Sequence, residues 1–354
     1  MKRIILCFDG TGNEPGDVEE KKSEAIANDN SISNILKIHL LSGGNIDNEV
    51  NIKKFEKNAL VFNNQISLYY PGVGVRGNFF KRLWRQAFAS KGPKVIMDEA
   101  FNDLKEIYEK NDILYIFGFS RGAAIARMFA SIIAKKGIQT KSNENDNSPT
   151  VEFLGAFDTV AAFGMPNLDS HDRPVSDVIF ENRRISPIIK NATHLVSLDE
   201  NRKAFKPTLM NYQSNISEIW FPGVHSDVGG GYFNDGISDI ALEYMIKQSK
   251  LYGLKFFNVE DIPEKNLVGK DHNDKEIRID KDYLNIKPDC NAIIHDHNEK
   301  WRLAKTLSPR NADVLKNDIP CDIKIKVHQS VIDRKNSLEY NPKPLDHIIY
   351  DVVS

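Results

Sequence analysis

The stretch from Ile113 to Ala134 constrains the fold more than any other. Ile113-Leu114-Tyr115-Ile116-Phe117 is a short, continuous apolar run, the pattern of a strand buried on both faces. Arg121 to Ala134 is apolar almost all round and predicts a deeply buried helix. Only Gly118-Phe119-Ser120 separate the two. A doubly buried strand that feeds at once into a buried helix fits a parallel sheet covered by helices on both sides.

The rest of the chain repeats this alternation. Ile4 to Phe8 predicts a buried strand ending in Asp9-Gly10-Thr11-Gly12, and Ser67 to Tyr70 predicts another, stopped by Pro71-Gly72. Val151 to Phe157 and Ile219 to Phe221 read as two more, and the alternating Ile323 to Val327 as a late, half-exposed one. Helical spacing marks Ile32 to Leu40, Ala100 to Tyr108, and Ile240 to Tyr252. The expected class is α/β, with residues 1–354 forming a single domain that carries polar surface insertions. The charged stretch of about 259–287 reads as an insertion or small subdomain.

Composition removes several function classes. Lys and Arg number 47 against 49 Asp and Glu, a formal net charge of −2. Nucleic-acid binding is not expected from such balance, because phosphates call for a basic field. Cys7, Cys290 and Cys321 form neither a disulfide framework nor a C-x-x-C zinc pair, which points to a reducing compartment. The apolar run after Met1-Lys2-Arg3 is too short for a signal peptide, and no stretch approaches the roughly 20 apolar residues that span a bilayer. The expectation is synthesis in the cytoplasm without a cleaved leader. No cofactor or metal is expected either: His295-Asp296-His297 is an isolated triplet in a polar stretch and reads as a solvated loop.

Chemistry concentrates where the constraining strand meets its helix. Gly118-Phe119-Ser120-Arg121-Gly122 matches G-x-S-x-G between a strand and a helix, the setting of a nucleophile elbow. The plain alternative is a tight turn with a capping serine. Such a serine needs a base. His225 opens the glycine-rich segment His225-Ser226-Asp227-Val228-Gly229-Gly230-Gly231 after a strand, and His328 is its rival after another. Asp158, at the end of the Val151 to Phe157 strand, is the expected acid, in the order Ser, Asp, His of α/β-hydrolases; Asp227 is the alternative. An oxyanion hole would draw on the N–H of Arg121 and on the Gly10-Thr11 turn. Phe79, Phe80, Leu83, Trp84, Ala87 and Phe88 fall on one face of a basic amphipathic helix, which either lies in a membrane interface or packs into the core.

These segments together resemble the phospholipase effectors of the type VI secretion system. The resemblance rests on Cys7 to Asn13, Tyr70 to Gly74, Gly118 to Ala123, Phe157 to Val160, Ser197 to Arg202, Trp220 to Tyr232 and His328 to Val331, in the family's order. It implies an α/β-hydrolase that cleaves phospholipid acyl esters with a triad of Ser120, Asp158 and His225. It further implies a membrane surface as substrate, secretion-machinery and immunity-protein partners, and delivery to a target cell's periplasm as an antibacterial toxin. Better-known members carry a large further C-terminal region that has no counterpart here, so hydrolysis is implied more directly than delivery. A catalytically idle binding or adaptor module, an intracellular defence lipase and a peptidase on the same scaffold are the other readings.

Overall fold

Among the described residues, eight short strands line up in one all-parallel sheet. They are β1 (Arg3–Phe8), β2 (Gln65–Tyr70), β3 (Ile113–Phe119), β4 (Thr150–Phe157), β5 (Ile189–Ser197), β6 (Ile216–Phe221), β7 (Ile325–His328) and β8 (Tyr350–Val353). Their spatial order is β8-β7-β6-β5-β4-β3-β1-β2. Every neighbouring pair is parallel. This computed structural model describes residues 1–15, 17, 31–46, 64–72, 92–161, 185–233, 235–270, 276–295 and 307–354. The expected amphipathic helix around Trp84 and the Asp296-His297 pair lie outside the described residues.

Strand pleating sorts the core into two layers. Ile5, Cys7, Tyr115 and Phe117 face α1 (Asn34–Leu41) and, after the helices α2 (Gly92–Ile107), α3 (Arg121–Lys136) and α4 (His225–Gly229), also α5 (Gly236–Leu251). Ile4, Leu6, Leu114 and Ile116 face α2 and α3 on the other side. A last helix, α6 (Gln329–Ser337), follows β7. The described part of 259–287 buries Leu267, Ile277, Ile279 and Leu284 in the same apolar cluster as α1.

Two strands escape the sequence pattern. β5 lies mid-sheet between β4 and β6, yet Lys190, Asn191, Thr193 and His194 interrupt its apolar run. Those polar groups are satisfied locally: the Asn191 amide donates to the Glu152 carbonyl, and His194 bridges two neighbours described below. β8 is a short, partly exposed strand that, among the described residues, pairs only with β7.

The strand order reverses once. The chain runs from β1 outward to β2, then returns to place β3 on the other side of β1. In open parallel sheets such a switch point opens a crevice at the carboxyl edge. Phe8 pairs with Gly118, Phe119 with Phe157, and Phe157 with Leu195, so the ends of β1, β3, β4 and β5 reach that edge together.

Candidate active site

Ser120 lies between β3 and the first residue of α3, with φ 56° and ψ −123°. A non-glycine residue in that region is strained, typically by about 1–3 kcal/mol, and the surrounding structure must hold it there. Gly118 and Gly122 make the turn sterically possible. A Cβ on Gly118 would lie 2.5 Å from Ala123 Cα, and one on Gly122 would lie 2.2 Å from the Phe8 carbonyl oxygen. Ser120 makes no capping hydrogen bond to the helix, so the plain capping role is not what its hydroxyl does here.

Asp158 follows directly on β4, next to the elbow strand, and is fully buried with φ 38°. Its backbone is pinned on both sides. Asp158 N–H donates to the Leu195 carbonyl, and Val160 N–H to that of Ser120. Thr159 N–H donates to His194 Nε2 at 3.0 Å. That nitrogen must therefore be unprotonated, and His194 Nδ1 donates to Glu218 Oε2 at 2.7 Å.

His225 opens α4 and turns its ring toward the same point. Its Nδ1 donates to Asp158 Oδ2 at 2.5 Å. This bond fixes the tautomer that leaves Nε2 bare, as an acceptor for a proton. Phe119 and Phe205 bracket the ring, with centroids at 4.7 and 4.9 Å. Burial pulls the imidazole below its ordinary pKa, and the bond to Asp158 and the charges of Asp158 and Glu200 oppose this without cancelling it. Among the described residues Ser120 makes no side-chain hydrogen bond to His225; in unliganded sites such bonds are often long.

Arg310 is the residue that sequence reasoning missed. Its Nη1 donates to Asp158 Oδ1 at 2.6 Å and its Nη2 to Asp158 Oδ2 at 2.8 Å. The same guanidinium reaches the Ser197 carbonyl and hydroxyl and the Phe205 carbonyl. Burial would push the Asp158 carboxyl up, but Arg310 and His225 outweigh it and hold the group well below the usual carboxylate range. Nothing near Ser308-Pro309-Arg310 in the sequence marks this contact, which spans 152 positions. A buried arginine demands an acid, but only the fold says which.

The Asp199-Glu200-Asn201-Arg202 block forms a collar behind the histidine. Asp199 Oδ2 accepts from Gly223 N–H and the Tyr340 hydroxyl. Glu200 Oε2 accepts from His225 N–H at 3.3 Å, and its carboxylate is held by Arg202 Nε and Nη2 at 2.8 and 2.7 Å. Arg202 in turn lies 3.8 Å over the Phe205 ring that packs on His225.

The rival residues are engaged elsewhere. Asp227 accepts from Val224 N–H, His295 N–H and His295 Nδ1, the last at 2.6 Å. It orders its own loop. His328 Nδ1 accepts from Ser330 N–H at the start of α6, and its ring stacks on Phe221.

The turn after β1 abuts the elbow, as the expected oxyanion hole requires, with one correction. Gly10 N–H donates back to Asp9 Oδ1 at 2.6 Å, so it is not free for a substrate oxygen. Among the described residues, Thr11 N–H makes no such bond, and Arg121 N–H is one of the unpaired first-turn donors of α3. Asp9 braces the turn: its carboxylate also accepts from Ser33, Tyr69 and Asn13. No group of three or more His, Cys, Asp or Glu side chains converges as a metal site among the described residues, and no described helix is long and apolar enough to cross a membrane.

A family model described as "T6SS, Phospholipase effector Tle1-like, catalytic domain" matches residues 2–149 and 139–248. An uncharacterized Saccharomyces cerevisiae protein, YEL023C, is 27% identical over 255 residues, covering 58% of this chain and 32% of its own length. Among solved structures, an uncharacterized Pseudomonas aeruginosa protein is 23% identical, with a TM-score of 0.46, over 73% of this chain and 47% of that one. The Tle1 effector solved bound to the VgrG spike is 21% identical, with a TM-score of 0.36, over 66% and 51%. The chain thus spans about a third of the yeast relative and about half of the two structures.

Proposed function

The chain belongs to the Tle1-like phospholipase effector catalytic family of the type VI secretion system, and from that premise we propose that it is a serine esterase acting on phospholipid acyl esters. The observation that carries the reading is the 2.5 Å bond between His225 Nδ1 and Asp158 Oδ2, at the sheet edge where the Ser120 elbow stands. In this reading Ser120 Oγ attacks the ester carbonyl and passes its proton to His225 Nε2. Asp158 holds the imidazole in that tautomer and stabilises the imidazolium. The N–H groups of Thr11 and Arg121 receive the oxyanion. The tetrahedral intermediate collapses, and the leaving alkoxide takes the proton from His225. Water then deacylates the serine by the same route in reverse roles.

The family's description, a type VI secretion phospholipase effector, supports delivery by that machinery; we further propose a target cell's periplasm as the place of action and an immunity protein as the counter-partner. Defined phospholipid vesicles incubated with the protein, followed by mass spectrometry, test the chemistry. Fatty acid and lysophospholipid from wild type, absent with Ser120→Ala, are expected. Release of phosphate or head group instead, or no labelling of Ser120 by a fluorophosphonate probe, overturns the reading in favour of another hydrolase or an idle scaffold.

A further inference from the structure

The acid of a Ser-His-Asp site needs only one partner, the imidazole, and one or two amides to hold it. Asp158 has more. Both of its oxygens are clamped by the two ends of the Arg310 guanidinium, while Ser197 N–H donates to Oδ1 at 3.0 Å. The guanidinium is 2% exposed and the carboxylate fully buried, so water screens this pair very little. A fork of this kind is bidentate and planar, and it fixes the carboxylate plane as well as its position.

The charges around His225 alternate. From β4 comes Asp158, and from the segment before β7 comes Arg310. From the collar after β5 come Glu200 and Arg202, and from α4 itself comes Asp227, which His295 occupies. Phe119 and Phe205 supply apolar faces. Two carboxylates near the ring are thus each matched by a guanidinium. A lone buried carboxylate against an imidazole favours the protonated ring; a carboxylate already paired with a cation favours it much less.

We propose that Arg310 is a positioning residue of the site: it locks the Asp158 carboxylate and offsets part of its charge, so that His225 is oriented without being loaded with a proton. The consequence is a base that stays competent in mildly acid surroundings. The proposal rests on the esterase reading for its catalytic meaning, but its electrostatic content stands apart from turnover. The clamp also explains how Asp158 can occupy its left-handed conformation. Two bonds from the Arg310 side chain and one from the Ser197 backbone N–H hold the carboxylate that follows β4 in place.

The test is an NMR titration of His225 in protein with labelled histidine, together with the pH profile of kcat/KM on a short soluble ester. In Arg310→Gln the imidazole should titrate about one pH unit higher than in wild type, because a like charge beside it has been removed. The acid limb of the profile should move up with it, and kcat should fall. Arg310→Lys keeps the charge and loses the fork. Its His225 titration should stay within about 0.3 unit of wild type while kcat falls roughly tenfold. An unmoved His225 titration in folded Arg310→Gln overturns the proposal. If that variant does not fold, Arg310→Lys decides: an unshifted titration with reduced kcat supports the proposal, and a shifted one or an unchanged kcat overturns it. Failure of wild type to label with a fluorophosphonate would instead remove the esterase reading and leave the titration result standing.

Discussion

Gly122 and Asp9 meet backbone to backbone: a Cβ on Gly122 would lie 2.3 Å from the Asp9 carbonyl oxygen. The elbow and the turn after β1 are therefore one packed unit. Gly122→Ala has no flexible neighbour to displace, since the obstacle is main chain. It should cost about 1–3 kcal/mol of stability, as overpacking does. It should also push the Thr11 turn away from the elbow, at roughly 100-fold in kcat. Urea unfolding and ester kinetics on the same preparation check both.

Ser120 holds its hydroxyl in a conformation that favours glycine. Ser120→Ala should leave the fold intact and lower turnover by about 10⁴-fold or more. Ser120→Gly should be equally inactive, and no less stable than wild type, because it relieves a strain of about 1–3 kcal/mol. A thermal melt of the glycine variant well below wild type would argue that the turn is unstrained.

The two aspartates near His225 should separate cleanly. Asp158→Asn should lose about 10⁴-fold in kcat, since an amide in that position favours the wrong imidazole tautomer. Asp227→Asn should instead lower the melting temperature with a smaller loss of kcat, because it weakens the bonds that tie His295 and Val224 to the α4 loop. Equal kinetic losses in both would mean that the loop and the acid act as one.

Activity should hold to lower pH than a free imidazole allows. The proposed base works only when neutral, and burial keeps His225 below its ordinary value of 6.5. The fraction of neutral base falls as pH drops through the pKa, so a depressed pKa moves the acid limb downward. A kcat/KM profile already falling by half at pH about 7 would contradict this.

Lys37 tests the frame behind the site. Its ammonium is buried between Asp235 and Asp239, tying α1 to α5, and Ser33 at the head of α1 holds Asp9. Lys37→Met leaves Asp239 buried without its cation and should cost about 3–5 kcal/mol. Denaturant midpoints read this directly.

Sequence patterns carried the strands that are apolar throughout, β1 and β3 above all, and they carried the turn at Ser120, because a glycine-framed serine between strand and helix is a local signal. They also placed Asp158 and His225 at strand ends, and the sheet brings those ends to one edge. β5 was illegible because its polar residues find partners only after the sheet has formed. Gly10 was misassigned because no pattern tells whether an amide points at a substrate or back at its neighbour's carboxylate. Arg310 was invisible for the simplest reason: a pair 152 residues apart has no local trace.

The family match ends at residue 248, and Arg310 lies beyond it. During synthesis, then, Ser120, Asp158 and His225 all leave the ribosome long before the cation that shields Asp158. Until residue 310 arrives, the nascent chain carries every motif residue around a carboxylate whose burial has no counter-charge. The last quarter of the chain, poor in recognisable motifs, supplies the counter-charge that the proposed catalytic set lacks until then.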